Sequence, residues 1–297
     1  MIKFWQALVL VLVPVISISV LLRMCQIQKV TIQNKCIRGQ NLETEISAIH
    51  IDVYKRSVGE FDNKCDFALW PKLLNSSICT RPVRFVVAGM NEGQLADVIL
   101  RSCPSARVHG FEIQSSVYKR LRQKYRHEPR VHVTNAAVSA RSGVLPVVSG
   151  GEGGGVWKTF RNQISWNGNS TVASVSVADL LMGKVSVVDF VIFDVEGHEV
   201  EAVLGLKLER YRRRFPVIQY ELGGTWADSR HTSNWTQADM AEYLQQLGYE
   251  LYLMGCTSLL QVSPSFFRNA RVLNEGYGYF IQGNVLAVLN HQSVQPC

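Results

Sequence analysis

From Arg84 onward the chain alternates short apolar runs with longer amphipathic ones. Arg84–Ala88 (RFVVA) is an apolar run that stops at a glycine and predicts a strand. Gln94–Arg101 has helical spacing, and Arg107–Glu112 (RVHGFE) is a second strand. Ser115–Arg126 is a basic amphipathic helix that turns Val117 and Leu121 inward, and Val131–Thr134 (VHVT) is a third strand. Val187–Asp194 (VVDFVIFD) is almost continuously apolar, the pattern of a central parallel strand covered on both faces. Glu199–Arg210 predicts a helix, Val217–Glu221 (VIQYE) a fifth strand, Gln237–Leu247 a helix, Glu250–Met254 a sixth strand and Tyr277–Gln282 a seventh. Strands and helices alternating at this spacing imply an α/β fold: a doubly wound, mostly parallel seven-stranded sheet with right-handed crossovers.

Two stretches break the alternation. Ser149–Gly155 (SGGEGGG), continued by Trp157–Ser170, reads either as a disordered loop or as a lid over a site. At the other end, Phe4–Leu22 runs 19 residues without a charge, close to the roughly 20 that cross a bilayer. Its length and the Leu21-Leu22-Arg23 exit favour an uncleaved signal anchor within residues 1–23 over a cleaved signal peptide. Residues 24–80 lack a clear period and read as a stem with a small cap, which leaves 81–297 as the main domain.

With 297 residues, 47% hydrophobic and 19% charged, the chain can bury a core in one large domain plus an appendage, which excludes wholesale disorder. Part of the +7 formal charge comes from Arg210, Arg212, Arg213 and Arg214, a cluster that reads as a solvated helix end. No nucleic-acid module or aromatic–basic repeat accompanies it, so no nucleic-acid partner is expected. Three sequons, at Asn75, Asn169 and Asn234, lie behind the apolar segment, and four of the seven cysteines fall between Cys25 and Cys79. Together they predict a glycosylated, disulfide-bearing body in an oxidising lumen. That is a single-pass type II arrangement in the Golgi or endoplasmic reticulum, with secretion as the alternative. Neither disulfide pairing nor oligomeric state can be read from the sequence, and no CxxC pair or Cys/His cluster at zinc spacing occurs.

Three strand ends carry candidate chemistry. The first strand runs into Gly89-Met90-Asn91-Glu92-Gly93 and then a helix. Glycines in such a turn let the backbone approach a ligand, and the helix start offers free N–H groups. Glu112 ends the second strand 23 positions after Gly89, where an acid is placed to accept hydrogen bonds from ribose hydroxyls. The fourth strand ends in Asp194-Val195-Glu196-Gly197-His198-Glu199, and ligands of open α/β sheets sit beyond such ends. A carboxylate there can hold a cation or take a proton, so Asp194, Glu196 and His198 are catalytic candidates. Glu199 reads instead as a first-turn helix acid. Glu221, which ends the fifth strand ahead of Gly223-Gly224, joins the candidates. No metal is expected, although the Asp194, Glu196 and Glu221 carboxylates could offer a divalent cation an oxygen site.

In order, Gly89–Gln94, Gly110-Phe111-Glu112, Asn135-Ala136-Ala137-Val138, Val177–Leu181, Phe193–Glu199, the strand ending at Glu221 and Leu247-Gly248-Tyr249 resemble the FkbM-type methyltransferases. These have the class I, Rossmann-like fold, and the resemblance spans residues 84–285. It implies S-adenosylmethionine as cofactor. Gly89, Asn91 and Gly93 would face its amino acid portion, Glu112 its ribose, Asn135 and Ala136 its adenine, and Asp194 and Glu196 its methyl group. It also implies in-line methyl transfer to an oxygen nucleophile, with Asp194 or His198 removing the proton. One position departs from the family pattern. Val87 stands two residues before Gly89, where an acidic residue that orders the methionine end of the cofactor is usual.

Three other classes compete. A nicotinamide-dependent oxidoreductase would carry G-x-G-x-x-G, which Gly89–Gly93 does not match. A glycosyltransferase suits the membrane-anchored layout but would carry Asp-x-Asp, and no such triplet occurs. A non-catalytic binding protein that keeps the fold suits the substitution at Val87. No residue names the methyl acceptor; a lumenal location makes glycan hydroxyls the leading substrate, ahead of lipids and small molecules.

Overall fold

The structure, a computed structural model, describes residues 67–74, 78–148, 163–164, 170–181, 183–222, 235–268 and 283–290. The predicted anchor, most of the stem, the glycine-rich stretch, the three sequon asparagines and Tyr277–Gln282 lie outside the described residues. Among the described residues no helix is long and apolar enough to cross a membrane.

In chain order the strands are β1 (Val83–Ala88), β2 (Ala106–Phe111), β3 (Val131–Thr134), β4 (Ala137–Val138), β5 (Gly143–Val148) and β6 (Gln163–Ile164). They continue as β7 (Ser170–Val175), β8 (Phe190–Phe193), β9 (Val217–Leu222), β10 (Tyr249–Met254), β11 (Leu259–Val262) and β12 (Gly283–Leu289). The helices are α1 (Trp70–Leu73), α2 (Gln94–Ser102), α3 (Ser115–Lys124), α4 (Val177–Leu181), α5 (Glu199–Leu204), α6 (Leu208–Tyr211) and α7 (Gln237–Gln246). The main sheet has eight strands in the order β3-β2-β1-β8-β9-β12-β10-β11. β3, β2, β1, β8 and β9 pair in parallel, and β12 runs antiparallel between β9 and β10. A separate four-stranded sheet has the order β4-β7-β5-β6.

Side chains alternate across the main sheet with a period of two and so feed two apolar layers. Val86, Ala88, Val191, Phe193, Ile218 and Tyr220 join one layer, covered by α4, α5 and α7. Phe85, Val87, Val108, Phe190, Ile192 and Val217 join the other, covered by α1, α2 and α3. A strand covered on both faces has no polar side, which is why β8 reads FVIF and β12 is buried along its whole length.

The structure corrects the predicted elements in three places. The main sheet has eight described strands rather than seven: β11 is a hairpin partner of β10, and Gly283–Leu289 pairs with both β9 and β10. The helix predicted over Glu199–Arg210 is broken into α5 and α6. There the Gly205 carbonyl accepts from Ser176 Oγ (2.9 Å) and Ala178 N–H (3.1 Å), and Lys207 turns to a φ of 51°. A Cβ on Gly205 would also lie 2.2 Å from the Ser139 carbonyl oxygen, so only glycine fits. Third, the small sheet occupies sequence that shows no clear strand pattern: β7 reads STVASV, and Val144 of β5 is exposed.

The end of the predicted cap is built into the core. Trp70 is fully buried and meets Phe85 and Phe190 edge-on at 6.0 and 5.5 Å between ring centroids. The Cys79–Cys103 disulfide ties the segment before β1 to the end of α2. Arg81 pairs with the buried Asp189 at 2.6 Å, and the other Asp189 oxygen accepts the Arg84 N–H at 2.8 Å. Cys256 is also disulfide-bonded. Replacing Cys79 and Cys103 together with alanine is expected to lower unfolding free energy by about 2–4 kcal/mol, measured by denaturant titration without reductant.

Candidate active site

Parallel pairing brings the loops after β1, β2 and β8 to one end of the sheet, together with the segment between β3 and β4. They form an open cleft lined by Gly89, Asn91, Phe111, Glu112, Ile113, Gln114, Ala136, Asp194, Glu196 and His198 among others. Gly89 is dictated by the backbone. Its φ is 83°, and a Cβ there would lie 1.7 Å from the carbonyl oxygen of Asp194 on the neighbouring strand's end.

Glu112 organises the first wall. Its Oε2 accepts the Asn91 N–H at 3.0 Å, and its Oε1 accepts the Gln114 N–H at 2.8 Å. Burial raises its pKa, against the pull of those amides. The Phe111 carbonyl accepts from the N–H groups of Gly89 (3.0 Å) and Met90 (3.2 Å), so the β1 loop is bound to β2 at three amides. Val87 is buried in the apolar layer with Met90, Ala96 and Ile99 and does not line the cleft. An acid at that position would sit among apolar side chains at a desolvation cost. Here Glu112 orders the loop instead.

Three predicted site residues stand back from the lining. Gly93, with a φ of 80°, caps α2, and its carbonyl accepts the Tyr125 hydroxyl at 2.8 Å. A Cβ on Gly93 would lie 2.3 Å from that hydroxyl, so the glycine serves packing. Asn135 donates from Nδ2 to the carbonyls of Glu112 (2.7 Å) and Ile113 (3.1 Å) and accepts from Ser115 Oγ (2.9 Å). It clamps the β2 loop behind the cleft. Glu221 lies in β9 opposite Asn284 of β12 and, one position past the Phe193–Tyr220 pair of β8 and β9, beside Asp194, but it is not part of the cleft lining. Among the described residues no three His, Cys, Asp or Glu side chains gather to hold a metal ion, so the Asp194, Glu196 and Glu221 oxygen set does not form.

The second wall is the turn after β8. Asp194 is exposed to the cleft, Glu196 takes a φ of 54°, and Gly197 follows at 96°. His198 is buried, with Nε2 3.2 Å from Ser139 Oγ, and burial lowers its pKa to about 4. The ring is therefore neutral near pH 7. Glu199 begins α5, yet its side chain turns back and accepts the Val195 N–H at 3.0 Å. Burial first, with the charges of Asp194 and Glu196, pushes its pKa up to about 8. Ser139 and Tyr125 were not among the predicted site residues. Tyr125 continues the 117–121 helical face at the same spacing and was legible there; nothing in the sequence signals Ser139.

Residues 88–251 match the family model described as the methyltransferase FkbM domain. The chain belongs to the FkbM methyltransferase family. S-Adenosylmethionine is the cofactor of this FkbM protein. Among solved structures it is similar to 23S rRNA methyltransferase ErmE, at 13% identity over 78% of this chain and 70% of that one, with a TM-score of 0.37. It is similar to the CurJ carbon methyltransferase at 10% identity, over 83% and 58% of the two chains, with a TM-score of 0.42. For Aeropyrum pernix fibrillarin with natively bound S-adenosyl-L-methionine the values are 15%, 71%, 68% and 0.36. No curated protein matches the sequence.

The cleft fits the cofactor. An ionised carboxylate has about four acceptor directions, and the Asn91, Gln114 and Ile113 amides bond to Glu112, which leaves room for a hydroxyl donor. Asp194 and Glu196 add negative charge at the other wall, where a cationic ligand is favoured. Replacing Glu112 with alanine is expected to weaken S-adenosylmethionine binding about 10–100-fold by calorimetry, the worth of a hydrogen bond to a charged group. The His198 ring is expected to titrate near pH 4 by NMR; a midpoint near 6.5 would contradict its burial.

Proposed function

We propose that this FkbM protein transfers the cofactor's methyl group to a hydroxyl oxygen on a glycan or small molecule in the secretory pathway. In this reading residues 4–22 anchor it as a type II single-pass protein with the catalytic domain in the lumen. The observation that carries the reaction is the placement of Asp194, an exposed carboxylate at the end of a fully buried strand, on the cleft wall facing Glu112. Gly89, Asn91 and Glu112 would hold the cofactor, and when bound it supplies an electrophilic methyl group. Asp194 then orients the acceptor hydroxyl and takes its proton as the oxygen attacks. A neutral imidazole with a pKa near 4 is a weak proton acceptor, so His198 is assigned to shape the wall through Ser139 rather than to act as the base. The disulfides at Cys79–Cys103 and at Cys256 support an oxidising compartment.

A second reading rests on Val87. With an apolar residue in place of the usual acid, the protein binds S-adenosylmethionine without turning over. Family membership sets aside the nicotinamide and glycosyl-transfer readings. Labelled-methyl transfer screened across glycans, lipids, proteins and small molecules separates the two that remain. Asp194→Asn is expected to lower kcat about 10²–10⁴-fold, the range for a lost general base, with a smaller loss of cofactor affinity from the missing charge. Full turnover by Asp194→Asn would remove the base assignment, and cofactor binding with no acceptor in any class would support the second reading.

A further inference from the structure

We propose that Glu199 is a positioning residue for methyl transfer, which holds from beneath the turn that presents Asp194 and Glu196 to the cleft. This rests on the reading of Asp194 as the group that serves the acceptor. The turn needs holding. Glu196 and Gly197 both have positive φ, a conformation that a non-glycine residue occupies only when its surroundings impose it. Asp194 N–H donates to the Ala88 carbonyl at 3.1 Å, and His198 N–H reaches the Val195 carbonyl at 3.4 Å. Between them Glu199 Oε1 accepts the Val195 N–H at 3.0 Å.

Stability alone does not account for an acid at this position. Glu199 is 1% exposed, and its Oε2 makes no hydrogen bond among the described residues. A buried carboxyl with one oxygen unmatched is costly, and a leucine would fill similar space without that cost. What leucine lacks is an acceptor that reaches Val195. Nor does Glu199 touch a ligand, because it is absent from the cleft lining. Its effect therefore passes through the turn. The requirement is an acceptor oxygen at the reach of a four-atom side chain, not a negative charge. That distinguishes Glu199 from Asp194.

Three full-length variants test this. Glu199→Gln keeps both reach and acceptor, Glu199→Asp keeps the charge but is one methylene short, and Glu199→Leu keeps the volume without an acceptor. Amide hydrogen exchange at Val195 is the primary readout and needs no acceptor substrate. It is expected to speed up about tenfold in the Asp and Leu variants and to stay slow in the Gln variant. With an acceptor in hand, kcat is expected to fall about 10²-fold in the Asp and Leu variants, and cofactor affinity to stay within about twofold. The Gln variant should rescue kcat. The proposal is overturned if Glu199→Asp retains slow exchange and turnover while Glu199→Gln loses them, since charge would then be the requirement. It is equally overturned if Val195 exchange is the same in all three variants. If Glu199→Leu fails to fold, the Asp and Gln pair still decides. Failure of the Asp194 base assignment would show in Asp194→Asn turnover and leave the exchange result standing.

Discussion

Glu112 accepts amides from two loops, Asn91 after β1 and Gln114 after β2, with its carboxyl almost wholly removed from water. Those bonds fix the mouth of the cleft before any ligand arrives, so the site's first wall is set in advance. The arrangement also explains how the β1 loop keeps its shape with Val87 in the core. The loop's ties run sideways to β2 rather than back to β1, and the place where an acid is usual becomes part of the apolar layer with Met90. Gly110 belongs to the same solution, because a Cβ there would lie 2.6 Å from Met90 Sδ. Changing Gly110 would disturb Met90, and through Met90 the loop that Glu112 binds.

The opposite wall carries four titratable groups within six residues and gives three of them distinct environments. Asp194 faces solvent, His198 is buried and neutral, and Glu199 is buried and largely protonated near neutrality. Such separation is how one short segment offers different proton chemistry at a single pH. It has a cost in folding. Glu199 retains a proton that the unfolded chain releases above its ordinary value of 4.5, so its contribution to stability is lost as pH rises toward about 8. His198 acts in the other direction, weakening the fold as pH falls from 6.5 toward about 4.

The parallel half of the fold was legible because buried strands have an unmistakable texture. RFVVA, RVHGFE, VVDFVIFD and VIQYE all mark strands of the sheet, and the glycine turn, Glu112 and Asp194 sit at their ends. The small sheet was not legible, since β7 alternates small polar residues with valines and β5 carries Pro146 and an exposed Val144. Gly93 and Asn135 are in the right neighbourhood but face inward. Their roles depend on Tyr125 and Ser115, partners 32 and 20 positions away in the chain. The same holds for Glu199, whose position at the head of a helix gives no sign that its side chain is enclosed.

Arg81, Asp189 and the Cys79–Cys103 bridge gather where the strands start, whereas the cleft opens where they end. The polypeptide therefore joins the sheet at the pole remote from the opening. The segment that leads into β1 is thus fastened at the base of the sheet, and the rim of the cleft stays clear of that fastening.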